Sequence, residues 1–211
     1  MADNTRLSFS DLMFSDDKSM SRQSFCACLP ELETPRLTLR RLRMKDARDI
    51  HGFCSDPEVA RYVLWDAHNS FSETKSFIRC IRRQYRHREP SSWCIVYKET
   101  GTVIGTVGFV WVNDESNSAE IGYSLSREYW GRGLMTEALQ CVISQCFKTA
   151  RFNRIEAQHD IRNPASGRVM EKCGMKKEGV LRSRFRSKHE YVDTAVWSIL
   201  ASEYHPPEQS S

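Results

Sequence analysis

Apolar residues recur along the chain with two periods, about 2 and about 3.6, and each change of period marks the end of one element and the start of the next. Leu37, Leu39 and Leu42 alternate from Arg36 as a first strand. The polar turn Met44-Lys45-Asp46 leads into a short amphipathic helix through Ile50 and Phe53, which Pro57 is predicted to end. Ser70-x-x-Glu73 is a capping-box signature, and Phe77, Ile78, Ile81 and Tyr85 form the buried stripe of a second helix running up to Pro90. Residues 93–97 and 103–112 flank Lys98-Glu-Thr-Gly101 as a hairpin, and after a polar loop at 113–118 a third meander strand covers 119–125. Met135, Ala138, Leu139, Val142, Ile143, Cys146 and Phe147 then return to helical spacing. Residues 154–159 form the next strand, reached by a crossover and hence parallel to the one before it. Asn163 caps a helix with Pro164 at its first position and Gly174 stops it, while 175–184 and 190–200 alternate as a closing hairpin. The order predicts an α+β, mixed α/β class with seven strands and about four helices.

The join between the 119–125 strand and the long helix, Trp130-Gly-Arg-Gly-Leu-Met135, carries the first chemistry. Gly131 and Gly133 remove two Cβ atoms and let backbone N–H groups turn into the mouth of the loop, where a helix N-terminus adds free donors and a positive dipole end. A phosphate is the natural guest. The P-loop pattern fails, because no Gly-Lys-Ser/Thr follows at the required spacing. The dinucleotide fingerprint matches in part: Thr136 stands where its third glycine belongs and Glu156 lies at a ribose-contact distance. Against it, the chain has no second strand-helix-strand unit of the required kind.

Composition narrows this picture. The 211 residues are 40% hydrophobic and 27% charged, enough for one well-buried domain, and no apolar run approaches the roughly 20 residues of a membrane helix. Asp3, Asp11, Asp16 and Asp17 interrupt the first thirty residues, so a secretory signal is not expected. Residues 1–32 read as a flexible polar extension with a short helix near 10–14, 33–204 as the domain and 205–211 as a flexible tail. Eight cysteines scattered through helix and strand patterns suit a reducing cytosol, and Cys26-Ala-Cys28 lacks a partner pair at zinc spacing, so no metal is expected. The net charge of +4 collects at 40–45, 82–88 and 182–188. Such runs serve as solvated faces or attract a polyanionic cofactor or an acidic or RNA-rich partner.

The loop resembles the pyrophosphate loop of the GNAT N-acetyltransferases, Gln/Arg-x-x-Gly-x-Gly/Ala, in its glycine and basic residue, and departs from it at both ends. Tyr129-Trp-Gly-Arg-Gly133 followed by Thr136-Glu-Ala138 is similar to the branch of ribosomal-protein alanine N-acetyltransferases. Three further markers, Glu-Thr-Pro-Arg-Leu-Thr-Leu-Arg at 33–40, Asn163-x-x-Ser166 and Glu178-Gly-Val-Leu-Arg182, extend the resemblance from about Glu33 to Glu203.

This resemblance implies the GNAT acyl-CoA N-acyltransferase fold and acetyl-coenzyme A as cosubstrate. It implies that the pyrophosphate lies on the N–H groups of Trp130, Gly131, Arg132, Gly133, Leu134, Met135 and Thr136, with Arg132 adding charge. The pantetheine arm would pair with Tyr123, Ser124 and Leu125 where that strand splays from the next. Asn163 would contact the arm, and Ser166 would sit near the sulfur as the acid for the departing thiolate; many relatives use a tyrosine nearby, and without one Ser166 or an ordered water remains. Glu120, or a proton-relaying water chain, would deprotonate the amine. Tyr62 and Trp65 would wall the acceptor pocket. The expected activity is direct acetyl transfer to a protein N-terminal α-amino group, as in ribosomal proteins. Small amines, amino acids or antibiotics are the alternative acceptors. A non-catalytic acyl-CoA-binding module is the alternative of another class. RNA binding by the basic runs, which would be strongly salt-dependent, is not expected, and a homodimer stays open.

Overall fold

A computed structural model describes residues 25, 26, 28–188 and 190–205. One mixed sheet contains β1 (Leu32–Glu33), β2 (Leu37–Arg41), β3 (Ser92–Tyr97), β4 (Thr102–Asn113), β5 (Ser118–Leu125), β6 (Arg154–Asp160), β7 (Lys176–Ser187) and β8 (Glu190–Leu200). Their order across the sheet is β1-β2-β3-β4-β5-β6-β8-β7. The helices are α1 (Ala47–Cys54), α2 (Pro57–Ala60), α3 (Phe71–His87), α4 (Leu134–Lys148) and α5 (Pro164–Lys172). None of the described helices is long and apolar enough to cross a membrane.

Apolar burial on both faces of the sheet holds the layers together. On one face Leu134, Ala138, Leu139, Val142, Ile143 and Cys146 of α4 pack against Trp93, Ile95, Ile121 and Ile155. On the other, Ile50 and Phe53 of α1 and Ile78 of α3 close over Cys94 and Val103. Each fully buried Leu, Ile or Phe contributes about 1.5–3 kcal/mol relative to exposure, so this apolar stripe rather than helix propensity fixes α4 in place.

The single parallel pairing positions the site. β5 and β6 share only three rungs, Ser118↔Arg154, Ala119↔Ile155 and Glu120↔Glu156. Past Glu120, β5 stays paired to β4 as far as Leu125 while β6 follows β8 to Asp160, so the sheet opens into a wedge.

Several boundaries differ from those read in the sequence. Pro57 does not terminate α1, which ends at Cys54; it opens α2, where its missing N–H costs nothing and Asp56 Oδ1 accepts the Glu58 N–H at 2.9 Å. At α3 the Ser70 hydroxyl accepts from Glu73 N at 3.2 Å, but the Glu73 carboxylate reaches back to Asn69 N rather than to the cap residue. An eighth strand, β1, pairs Leu32 and Glu33 with β2. The extension drawn to residue 32 ends too late: Phe25, Leu29 and Leu32 are buried in the main core and Pro30 O accepts the Trp93 indole N–H at 2.8 Å. Its isolated apolar positions carried too little periodicity to reveal that packing. The helix expected near 10–14 lies outside the described residues.

Candidate active site

The loop into α4 is shaped by backbone conformation. Gly131 and Gly133 have φ of +73° and +75°, a region costly for residues with a Cβ, and Gly133 is the N-cap of α4 with no side chain bonded over it. A Cβ on Gly131 would meet nothing within 4 Å, and one on Gly133 only Arg36 Nη2 at 3.7 Å, so the glycines answer to conformation, not crowding. The first intrahelical donor is Glu137, bonded to Gly133 O at 3.0 Å, which leaves the preceding first-turn N–H groups for a ligand. Trp130, 47% exposed, donates its indole N–H to Leu125 O at 2.8 Å and ties the loop to the end of β5.

These groups border a cleft of about 550 Å³ that fills the wedge between β5 and β6. Its wall includes β5 from Tyr123 to Leu125, Trp130, Gly131, Gly133, the first turn of α4 from Leu134 to Thr136, Asn163 and Ser166, and Tyr62 on the far side. Three predicted residues stand elsewhere. The Arg132 guanidinium turns behind the loop, 5.1 and 5.2 Å from the centres of the Tyr97 and Tyr129 rings, and donates to Tyr97 Oη at 2.9 Å. Trp65 meets His68 with ring centres 5.9 Å apart and tilted by 48°, and packs against the α1–α3 core rather than the cleft. Glu120, 8% exposed, sits on the last shared rung with both oxygens engaged, Oε2 by Trp111 Nε1 at 2.6 Å and Oε1 by Gln158 Nε2 at 2.7 Å. Gln158, not Glu120, forms the wall there.

Asn163 caps α5 as its position required, accepting Ser166 N at 3.3 Å. The sequence showed no tyrosine close to Ser166, yet the fold supplies one: Tyr123 Oη lies 2.9 Å from Ser166 Oγ and donates to Ser166 O at 3.0 Å. Burial pushes the Tyr123 phenol well above its usual range, so it keeps its proton at neutral pH. Cys173 donates its thiol to Thr136 O at 3.6 Å and burial raises it to about 12, which leaves it a poor nucleophile.

Among the wall residues that were not anticipated, the polar and charged ones are Glu58, Gln158, His159, Arg162, Arg168 and Lys172. His159 Nδ1 is 2.7 Å from Asp160 O, and burial lowers the imidazole pKa, favouring the neutral ring. Arg162 is gripped by the buried Asp160 carboxylate at 2.6 Å and by Glu190 at 2.6 Å, with its guanidinium 6.0 Å from the Tyr62 ring centre. Burial alone would raise the Asp160 carboxyl; the Arg162 bonds outweigh it and hold the group below its usual range. The β7–β8 tip reaches the same region, where Lys188 Nζ donates to Ala60 O at 3.0 Å and Arg61 O at 3.4 Å at the end of α2. One available signal was the polar run Gln158-His159-Asp160 at the carboxyl end of a strand parallel to its neighbour, where ligands collect in open α/β sheets.

Comparison with known proteins identifies the family. The family model for the acetyltransferase (GNAT) domain matches residues 36–176. The uncharacterized N-acetyltransferase p20 of Bacillus licheniformis is 36% identical over 173 residues, 82% of this chain and 97% of that protein. A spermidine N(1)-acetyltransferase of Vibrio cholerae is 25% identical and aligns with 80% of this chain and 95% of its own. Among solved structures, the ribosomal-protein-S5-alanine acetyltransferase of Vibrio fischeri superposes with a TM-score of 0.72 at 23% identity, covering 84% of this chain and 100% of that one. The microcin C7 self-immunity acetyltransferase MccE, in complex with acetyl-CoA and AMP, gives 0.73 at 22% identity, covering 79% and 93%.

Proposed function

The chain belongs to the acetyltransferase (GNAT) domain family and is an N-acetyltransferase, and from that premise we propose that it transfers the acetyl group of acetyl-coenzyme A to the α-amino group of a protein, of the kind found on ribosomal proteins. The cleft carries this reading. Its one end offers uncapped N–H groups at the start of α4, its middle offers the β6-facing edge of β5, which has no strand partner past Glu120 among the described residues, and both suit the cosubstrate. Phosphates would rest on the Gly131–Gly133 loop and the first turn of α4, and the amides of the pantetheine arm along Tyr123 to Leu125.

Acetyl-coenzyme A brings a thioester whose sulfur departs as a thiolate. On the protein side, Ser166 Oγ, linked to the Tyr123 phenol, is our candidate proton donor to that sulfur, and Asn163 holds the turn that aims it. Glu120 is our candidate acceptor for the amine proton, reached through water past Gln158, because that amide rather than the carboxylate faces the cleft. Tyr62 would pack on the acceptor.

The charge of the cleft favours a peptide over a polyamine. Glu58 is the only carboxylate among its described wall residues, against Arg168 and Lys172, while the charge of Arg162 is already met by Asp160 and Glu190, and a polycation needs several carboxylates to offset its desolvation. Release of free thiol, followed with peptides of varied N-terminal residue, spermidine, and single amino acids, tests the assignment. Peptides should exceed spermidine in kcat/KM by about tenfold or more. Preference for spermidine would replace the acceptor, and tight acetyl-coenzyme A binding without transfer to any amine would make the chain a binding module.

A further inference from the structure

The stretch at 33–40 stood out in the sequence, yet nothing in the cleft wall uses it. Its Arg36, 101 residues before Glu137 and 46% exposed at the side chain, reaches across to the back of the glycine loop. Arg36 Nε donates to Glu137 Oε2 at 2.6 Å, Arg36 N to Glu137 Oε1 at 2.9 Å, and Thr34 Oγ1 to the same Oε1 at 2.7 Å. Arg36 Nη1 donates to the Arg132 carbonyl at 3.0 Å. We propose that Arg36 is a positioning residue for acetyl-coenzyme A binding: it aims the amide of Gly133 into the cleft and neutralises the one carboxylate in the first turn of α4. The inference rests on the reading that this loop seats the cosubstrate's phosphates.

Two physical arguments support it. In a trans peptide the C=O and the next N–H point in opposite directions, so a bond that pulls the Arg132 carbonyl toward Arg36 turns the Gly133 N–H the other way. Gly133 lines the cleft and Arg36 does not, and on this ground that N–H is assigned inward. With Gly133 on its far side this peptide plane would otherwise turn at lower steric cost than between two residues with a Cβ, and the side-chain tie limits that freedom. The second argument is charge. Glu137 favours the helix dipole but repels an anion at the same terminus. Burial would raise its pKa, and the bonds from Thr34 and Arg36 outweigh that and hold it below the usual range, so it is ionised and its charge is met by the guanidinium. Arg132, the basic residue inside the loop, is committed to Tyr97 and Tyr129 and does not substitute for Arg36.

The test measures acetyl-coenzyme A Kd by calorimetry and the acceptor KM for Arg36→Met, Arg36→Lys, Glu137→Gln and the double variant Arg36→Met with Glu137→Gln. Arg36→Met should weaken cosubstrate binding by about 10- to 100-fold with acceptor KM changed less than about twofold. Arg36→Lys, which can satisfy one acceptor but not both in fork geometry, should fall between. The double variant should bind better than Arg36→Met alone by about threefold or more, since the bare carboxylate is gone. Wild-type affinity in Arg36→Met, or no gain in the double variant, overturns the inference. Gly133→Glu separates the two claims: loss of binding there with normal binding in Arg36→Met sinks only the role of Arg36, whereas normal binding in both sinks the phosphate seat itself.

Discussion

At the α4 end of the cleft the groups that face a ligand are backbone amides, presented by two left-handed glycines and an uncapped helix start. At the α2 end they are side chains drawn from separate elements: Tyr62 after α2, His159 and Arg162 from β6 and its end, with Lys188 of the β7–β8 tip fastening α2 from outside. On the proposed reading the first end depends mainly on backbone conformation and the second on the side chains themselves. If, as we propose, the α4 end seats the cosubstrate, a scaffold built this way would keep that cosubstrate while its acceptor changes.

The contrast can be broken most forcefully at Gly133. Gly133→Glu puts a carboxylate and a strained φ where the phosphates should lie, and acetyl-coenzyme A binding should fall below detection in calorimetry. Gly133→Ala is the control, paying about 1–2 kcal/mol of left-handed strain without the charge. Equal losses in the two variants would assign the effect to strain alone.

Glu120, between the two ends, should separate rate from affinity. Glu120→Gln should lower kcat by about 10²-fold with cosubstrate Kd nearly unchanged. It also sets an amide donor against Trp111 Nε1 or Gln158 Nε2, so a stability loss of about 1–3 kcal/mol should accompany it in denaturant titration. Wild-type turnover would hand the proton to water. The smallest effect belongs to the acceptor end: Lys188→Met, which keeps length but removes the cation capping α2, should raise acceptor KM by about three- to fivefold and leave acetyl-coenzyme A KM where it was. A shift in the cosubstrate parameter instead would erase the division between the ends.

Legibility in the sequence follows the same division. Gly131, Gly133, Asn163 and Pro164 announce local backbone requirements, and each was found where its spacing put it. Trp65 and Arg132 misled because a local motif says which residues are near the loop but not which way a long side chain turns. Arg132 found two aromatic rings behind it, and Trp65 a histidine and a core. The meeting of Tyr123 with Ser166 spans 43 residues, and that of Arg36 with Glu137 spans 101. Neither pair shares a local pattern that could betray it.

By itself the sequence determined the order of the longer elements, the mixed sheet and the loop where amide donors are exposed, though not the short β1 and α2, because periodicity, caps and glycine conformations are properties of neighbouring residues. Only the tertiary structure decided which side chains wall the cleft, that the Glu120 carboxylate stands behind Gln158, and that an arginine from the first hairpin braces the loop from outside. Those are meetings between residues far apart in the chain, set by how β5 and β6 diverge after three shared rungs.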